Sequence, residues 1–218
     1  MRMLPLLALL PLAAARAEVV DFEGMPVGSP PMGWTIVKTG GGADPQWEIV
    51  ADSTSPAGAR VLAQVSEDAT SERLLLALHP AAALANGAVT VRFKPVSGNL
   101  ERAAGLVWRY RDENNYYVVR ASALEDNVVL YKIEDGRRTA LPAAGKGGEH
   151  AVARSVPAGR WSTLRVAFMG PRFVVSVDSK PLFEVEDSTF AEPGKVGVWT
   201  QADSVTYFDE FDLLVGVE

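Results

Sequence analysis

From Trp47 to Val215 the apolar residues either alternate or gather in runs of five to eight, and most runs are closed by Gly, Pro, Asn or Asp. A period of two with that punctuation specifies strands, because alternate side chains of a strand point to opposite faces while a helix repeats every 3.6 residues. Twelve segments fit: WEIVA, RVLAQV, RLLLAL, AVTVRFKPV, AAGLVWRY, YYVVRA, NVVLYKI, WSTLRVAFM, RFVVSVD, PLFEVE, KVGVWT and SVTYFDEFDLLV. Trp34 also opens a strand. Helical windows are nearly absent, and HPAAALANG, Ala-rich but short, is expected to form one turn of helix inside a connection. So many strands without intervening helices predict an all-β sandwich or barrel.

Several links are short. RDENN, ALEDN, EDGRR, Gly170-Pro171 and Asp178 to Pro181 read as hairpin turns, whose dihedrals Asn, Asp and Gly accept readily. LPAAGKGGEHAVARSVPAG, between the middle and last groups of strands, reads as a long exposed loop. Neither flank has strands enough to close alone, so one domain is expected.

The first seventeen residues stand apart. Arg2, the apolar stretch Leu4 to Ala14 and the small-x-small Ala15-Arg16-Ala17 have the form of a secretory leader cleaved after Ala17. The apolar part is too short for a membrane anchor and no later window supplies one, so a periplasmic or secreted chain of residues 18–218 without membrane insertion is expected. The sequence has no cysteine, and packing alone must hold the domain. Without Arg2 and Arg16, 19 basic residues face 27 acidic ones, a formal charge of −8. Nucleic acid and anionic membranes, which call for a basic footprint, are not expected partners.

Polar residues inside the central strands point to function. Alternation puts Leu106, Trp108 and Tyr110 on a core face and Val107 and Arg109 on the other; sequence does not fix the register across the turns, where one slip reverses the assignment, and the favoured one sets Arg109, Tyr116 and Arg120 on one outer face. Arginines mid-strand need carboxylates, solvent or a ligand, since a buried charge that loses its partner costs about 3–5 kcal/mol. One reading is structural, with stems on the sheet and heads paired locally. The other is a ligand face, where guanidinium forks meet hydroxyls and aromatic rings carry the C–H faces of a sugar. Arg109, Tyr116, Arg120, Tyr131 and Trp199 are the candidate ligand-binding residues, with Trp199 as aromatic platform; Trp34, Trp47 and Trp161 are expected in core or rim packing.

The runs GLVWRYRDENNYYVVRASALEDNVVLYKIEDGRRTAL, GRWSTLRVAF, RFVVSVDSKPLFEVEDSTF and GKVGVWTQADSVTYFDEFDLL resemble the concanavalin A-like jelly rolls. They look closest to bacterial exported domains related to 3-keto-disaccharide hydrolase-like and family 16 glycosidase-like proteins. The likeness runs from about Ala88 to Val215 and rests on the order of a strand ending in R-Y, a D-x-x-N-Y-Y hairpin, an L-Y-K strand, a G-x-W strand and a closing F-D-x-F strand. It implies two curved antiparallel sheets, the concave one commonly carrying a carbohydrate site. It also implies the place where jelly rolls often bind structural calcium, between first and last strands, with Asp21, Glu23, Asp209 and Asp212 as candidates; acids at strand ends are more commonly solvated, and no cofactor is expected.

Catalysis is poorly provided for. Glycoside hydrolysis needs two carboxyls roughly 5–9.5 Å apart, and the family 16 E-x-D-x-E run is missing; Glu184, Glu186 and Asp187, or Asp209, Glu210 and Asp212, are the nearest approximations. His79 and His150 are the two histidines, read as solvated loop residues too few for a metal cage or a Ser-His-Asp triad. Gly40 to Gly42 lacks a phosphate-loop setting. The leading expectation is an exported, lectin-like module that binds carbohydrate or another small polar ligand on its concave face. The alternatives are a glycoside or 3-keto-glycoside hydrolase with scattered carboxylates and a structural envelope domain that meets another protein.

Overall fold

The computed structural model describes residues 16–80, 83–145 and 148–216. They form two antiparallel sheets of eight strands each, and no helix occurs among them. In chain order the strands are β1 (Arg16–Val20), β2 (Thr35–Thr39), β3 (Trp47–Ala51), β4 (Arg60–Gln64), β5 (Leu74–Leu78) and β6 (Gly87–Ser97). The central group is β7 (Ala103–Asp112), β8 (Asn115–Ser122), β9 (Asn127–Glu134), β10 (Arg137–Ala140) and β11 (Ala151–Ala153). The last are β12 (Ser162–Met169), β13 (Arg172–Val177), β14 (Lys180–Glu186), β15 (Lys195–Gln201) and β16 (Val205–Val215).

The first sheet runs β14-β13-β12-β6-β16-β4-β3, with β1 against β16; the second runs β10-β9-β8-β7-β15-β5-β2, with β11 against β9. All twelve segments chosen by alternation are strands, and the predicted two-sheet antiparallel sandwich is present. The expected hairpin turns join β7–β8, β8–β9, β9–β10, β12–β13 and β13–β14, and Asp126, Asp135, Gly136, Gly170, Asp178 and Ser179 take positive φ there. Two expectations need correction. HPAAALANG forms no helix in its described part, where Leu84 instead bridges to Gly194; Ala81 and Ala82 lie outside the described residues. The long loop after Leu141 is not wholly loop, since β11 within it extends the β9 edge. Of the expected leader, residues 1–15 lie outside the described residues, while Arg16 and Ala17 pair with Val215 and Leu214.

Inward residues of both sheets make the main core, from Val89, Val91, Leu164, Val166, Phe173 and Phe208 on one side to Leu106, Trp108, Tyr117, Val119 and Leu130 on the other. The second sheet buries its outer face as well: Leu74, Leu76, Leu78, Val107, Tyr116, Val118, Ile133 and Trp199 form a second apolar cluster there. Two hydrogen bonds explain how an outer face becomes enclosed. Arg138 on β10 donates to Gln201 Oε1 on β15 at 2.7 Å, and Tyr116 Oη on β8 lies 3.4 Å from Thr39 Oγ1 on β2. Each bond crosses four strand spacings, about 19 Å in a flat sheet. The sheet must therefore curl toward that side, which makes its outer face concave.

Candidate functional site

The concave face divides into a filled part and a polar end. In the filled part Trp199 lies opposite Gly105, and a Cβ on that glycine would stand 2.9 Å from the indole ring and 2.7 Å from the Val119 carbonyl. The missing side chain lets the tryptophan lie down on the strand, where it is fully buried among the leucines of β5. Tyr116 is equally buried, and burial pushes its phenol up to about 12.

The polar end is built around Arg120. Its guanidinium donates to Glu101 Oε1 at 3.1 Å, to Glu125 Oε1 at 3.1 Å and Oε2 at 2.6 Å, and to Asn127 Oδ1 at 3.2 Å. It also lies 5.9 Å from the centre of the Tyr131 ring, whose other cation, Arg138, is at 5.1 Å. Tyr131 and Arg138 are half-buried and Glu125 is exposed, so this end meets solvent. Burial raises the Glu101 carboxyl above its ordinary value against the pull of Arg120, whereas the hydrogen bond from Arg120 holds Glu125 below its own. The two carboxylates each lie 3.1 Å from Arg120 Nη1, so these oxygens are at most 6.2 Å apart. That is compatible with glycosidase spacing, although the guanidinium itself occupies the position between them.

Glu101 is presented by the β6–β7 loop, which a buried acid shapes. Asp203 accepts the backbone N–H groups of Asn99, Leu100 and Glu101 at 2.6–3.1 Å. Burial opposes its charge, but these N–H bonds outweigh burial and hold its pKa below the ordinary value. The outer side of the same loop lines a cleft of about 610 Å³ with Glu67, Ser97, Asn99, Leu100, Arg102 and Asp203.

The sequence-chosen residues divide accordingly. Tyr116 and Arg120 share the outer face of the second sheet as expected, and Tyr131 and Trp199 join them there, but Trp199 is sealed and offers no open platform. Arg109 is not on that face. β7 takes four steps from Trp108 to Asp112 while β8 takes two from Tyr117 to Asn115, and Arg109 has φ 49°. This bulge reverses the alternation: Tyr110 turns outward onto Tyr116, and Arg109 turns inward over Phe168 and Phe173. There it donates to the carbonyls of Phe190, Ala85 and Gly170, which anchors loops at one end of the sandwich. His79 is likewise no solvated loop residue. It is buried, edge-on to Trp34 and stacked on Phe211, and burial lowers its pKa.

Most of the acids considered for catalysis or calcium have other partners. Glu184 pairs with Arg172, Asp187 accepts from Tyr117 and Thr189, and Glu210 pairs with Arg92. Glu23 caps the N–H groups of Ala59 and Arg60, and Asp209 accepts from Ser55. Among the described residues no group of three or more metal-ligating side chains is gathered to hold an ion. Sequence reasoning missed Glu101, Glu125, Asn127, Arg138 and Gln201. Glu125 and Asn127 resemble ordinary turn residues, and Gln201 meets Arg138 through a curl that strand patterning does not encode.

No family model matches the chain, and no curated protein does. Solved structures do. The carbohydrate binding module CBM66 from Bacillus subtilis aligns over 86% of this chain and 99% of its own, at 19% identity and a TM-score of 0.64. The cellulose induced protein Cip1 aligns over 90% and 96%, at 12% identity and 0.58. The exoplasmic/lumenal domain of VIP36, in its Ca2+/Man3GlcNAc-bound form, aligns over 93% and 88%, at 13% identity and 0.56. These likenesses show the fold alone: the chain has the two-sheet antiparallel jelly-roll architecture expected of the concanavalin A-like type.

Proposed function

We propose that this jelly roll is an exported module that binds carbohydrate at the polar end of its concave sheet. The observation that carries the reading is the Arg120 cluster: a buried guanidinium fixed by Glu101 and Glu125, beneath the Tyr131 ring and beside Arg138, at an end of the concave face where polar groups reach solvent. Carboxylates, an amide and guanidinium forks at fixed angles suit the alternating donors and acceptors of sugar hydroxyls, and a half-buried tyrosine suits a C–H face. The filled remainder of the hollow confines contact to this end. The jelly-roll neighbours include a carbohydrate binding module and a glycan-bound domain, which supports the ligand class. A secretory leader fits a ligand met in the periplasm or outside the cell.

The test is a glycan array followed by titration calorimetry with wild type, Tyr131→Ala and Arg138→Ala, all checked for unchanged Tm. Binding that falls tenfold or more in both variants supports the site. No glycan retained by wild type, or equal retention by all three, overturns it.

A second reading, glycoside hydrolysis, draws on the two carboxyls whose ionisation is pushed in opposite directions, Glu101 up and Glu125 down. Hydrolysis of aryl glycosides that is abolished by both Glu101→Gln and Glu125→Gln would favour it over binding alone.

A further inference from the structure

The outer face of the first sheet, on the opposite side of the molecule, has a pattern that the concave face does not explain. Val89, Val91, Leu164, Val166 and Val175 point into the core, so their neighbours on β6, β12 and β13 point out. The registers align these outward residues into rows. Leu214, Ala88, Ala167 and Val174 face one another across β16, β6, β12 and β13. The next row is Asp212, Thr90, Arg165 and Ser176, and the third pairs Arg92 with Thr163. The solvent side of an antiparallel sheet is ordinarily polar; here, across these four strands, one row is aliphatic and the next two are polar, while Glu184 on β14 and Val19 on β1 extend the first and second rows.

Each zone is a cleft. Ala88, Ala167 and Val174 floor a trough of about 270 Å³ walled by Met169, Leu214, Arg165 and Arg172. Thr90, Arg92, Thr163, Ser179, Glu210 and Asp212, with Val19 at one side, line an adjoining and mainly polar cleft of about 250 Å³. The two meet where Arg165 donates to Thr90 Oγ1 at 3.1 Å, and successive rows are about 7 Å apart, two residues along a strand. The polar cleft is not internally satisfied, for Asp212 Oδ1 is buried without a hydrogen-bond partner. Its three hydroxyls, one guanidinium and two carboxylates carry both signs of charge, so it matches a neutral head rich in hydroxyls better than an ion. Met169, half exposed at the open end of the trough, leaves aliphatic surface for an apolar tail to cover.

We infer that this face is a second binding site, for a sugar that carries a short apolar aglycone, with the sugar over Thr90, Thr163 and Asp212 and the aglycone in the Ala88–Ala167 trough. The site shares no residue with the concave face.

Octyl β-glucoside, kept below its critical micelle concentration, is the probe, and backbone amide shifts of the full chain are the readout. Wild type is expected to show saturable shifts on β6, β12, β13 and β16, with glucose alone at least tenfold weaker. Ala167→Leu, an outward substitution that fills the trough, should weaken binding tenfold or more at unchanged Tm, while Arg138→Ala on the concave face should leave it unchanged. The inference is overturned if no shifts arise on these strands below the micellar concentration, if glucose alone does as well there, or if Ala167→Leu binds like wild type. Because Arg138→Ala probes the other face, failure here and failure of the concave site remain distinguishable.

Discussion

Replacing Arg109 tests whether a mid-strand arginine serves as an anchor or as a ligand group. Its side chain is 1% exposed and makes no ion pair; it donates to the carbonyls of Phe190 at 2.7 Å, Ala85 at 3.0 Å and Gly170 at 2.6 Å. In Arg109→Ala the Phe190 carbonyl is left buried without a donor, at about 1–3 kcal/mol. The Ala85 and Gly170 carbonyls border a cleft of about 290 Å³ and can be rehydrated, which reduces their share. Lost contact with the rings of Phe168 and Phe173 adds about 1 kcal/mol. Desolvation of the charge is recovered and offsets part, so the expected loss is about 3–4 kcal/mol for Ala and about 2 kcal/mol for Arg109→Met, which keeps the stem. For a domain of this size the Ala variant should melt about 10 °C lower. Urea unfolding followed by tryptophan fluorescence measures both variants, with the m-value expected to stay constant. Losses under about 0.5 kcal/mol in both would refute the anchoring role, and folded Arg109→Ala should bind any glycan ligand as wild type does.

Two further outcomes follow from buried groups. Burial holds Asp209 at about 6, so the folded chain keeps a proton that the unfolded chain, near 3.8, has already released. That stabilisation is complete below about pH 4 and is lost as pH rises through 6. Asp209→Asn should therefore gain on wild type by about 2 kcal/mol between pH 4 and pH 7.5; a Tm difference that does not change with pH would contradict this. Gly105→Ala, which drives a methyl against the Trp199 ring, should cost about 1–3 kcal/mol and alter the near-ultraviolet dichroism of the tryptophans, and an unchanged spectrum would show that the close approach does not matter.

The strands were legible because alternation is a local signal, and parity on β8 put Tyr116 and Arg120 on one side, as found. Parity failed on β7 at Arg109, since a bulge inserts residues without leaving a mark in the apolar pattern. β10 and β11, four and three residues long, are too short to show a period. One signal went unused: RLLLAL is apolar without alternation, the mark of a strand buried on both faces, and it indicates that the concave hollow holds its own leucines. The polar end was harder to read. Glu101 and Arg120 come together through a loop closure, and Arg138 and Gln201 through curvature; sequence spacing records neither.

The last two strands occupy central positions. β15 lies between β7 and β5 in one sheet, and β16 between β6 and β4 in the other. During vectorial synthesis each sheet thus remains in unjoined parts until β15 and β16 emerge, with β1 a separate piece of the first sheet, and joining them requires pairings of high sequence separation, which form slowly. Until those two strands are made the chain stays open, and loss of β15 and β16 would leave two incomplete sheets rather than a shortened domain.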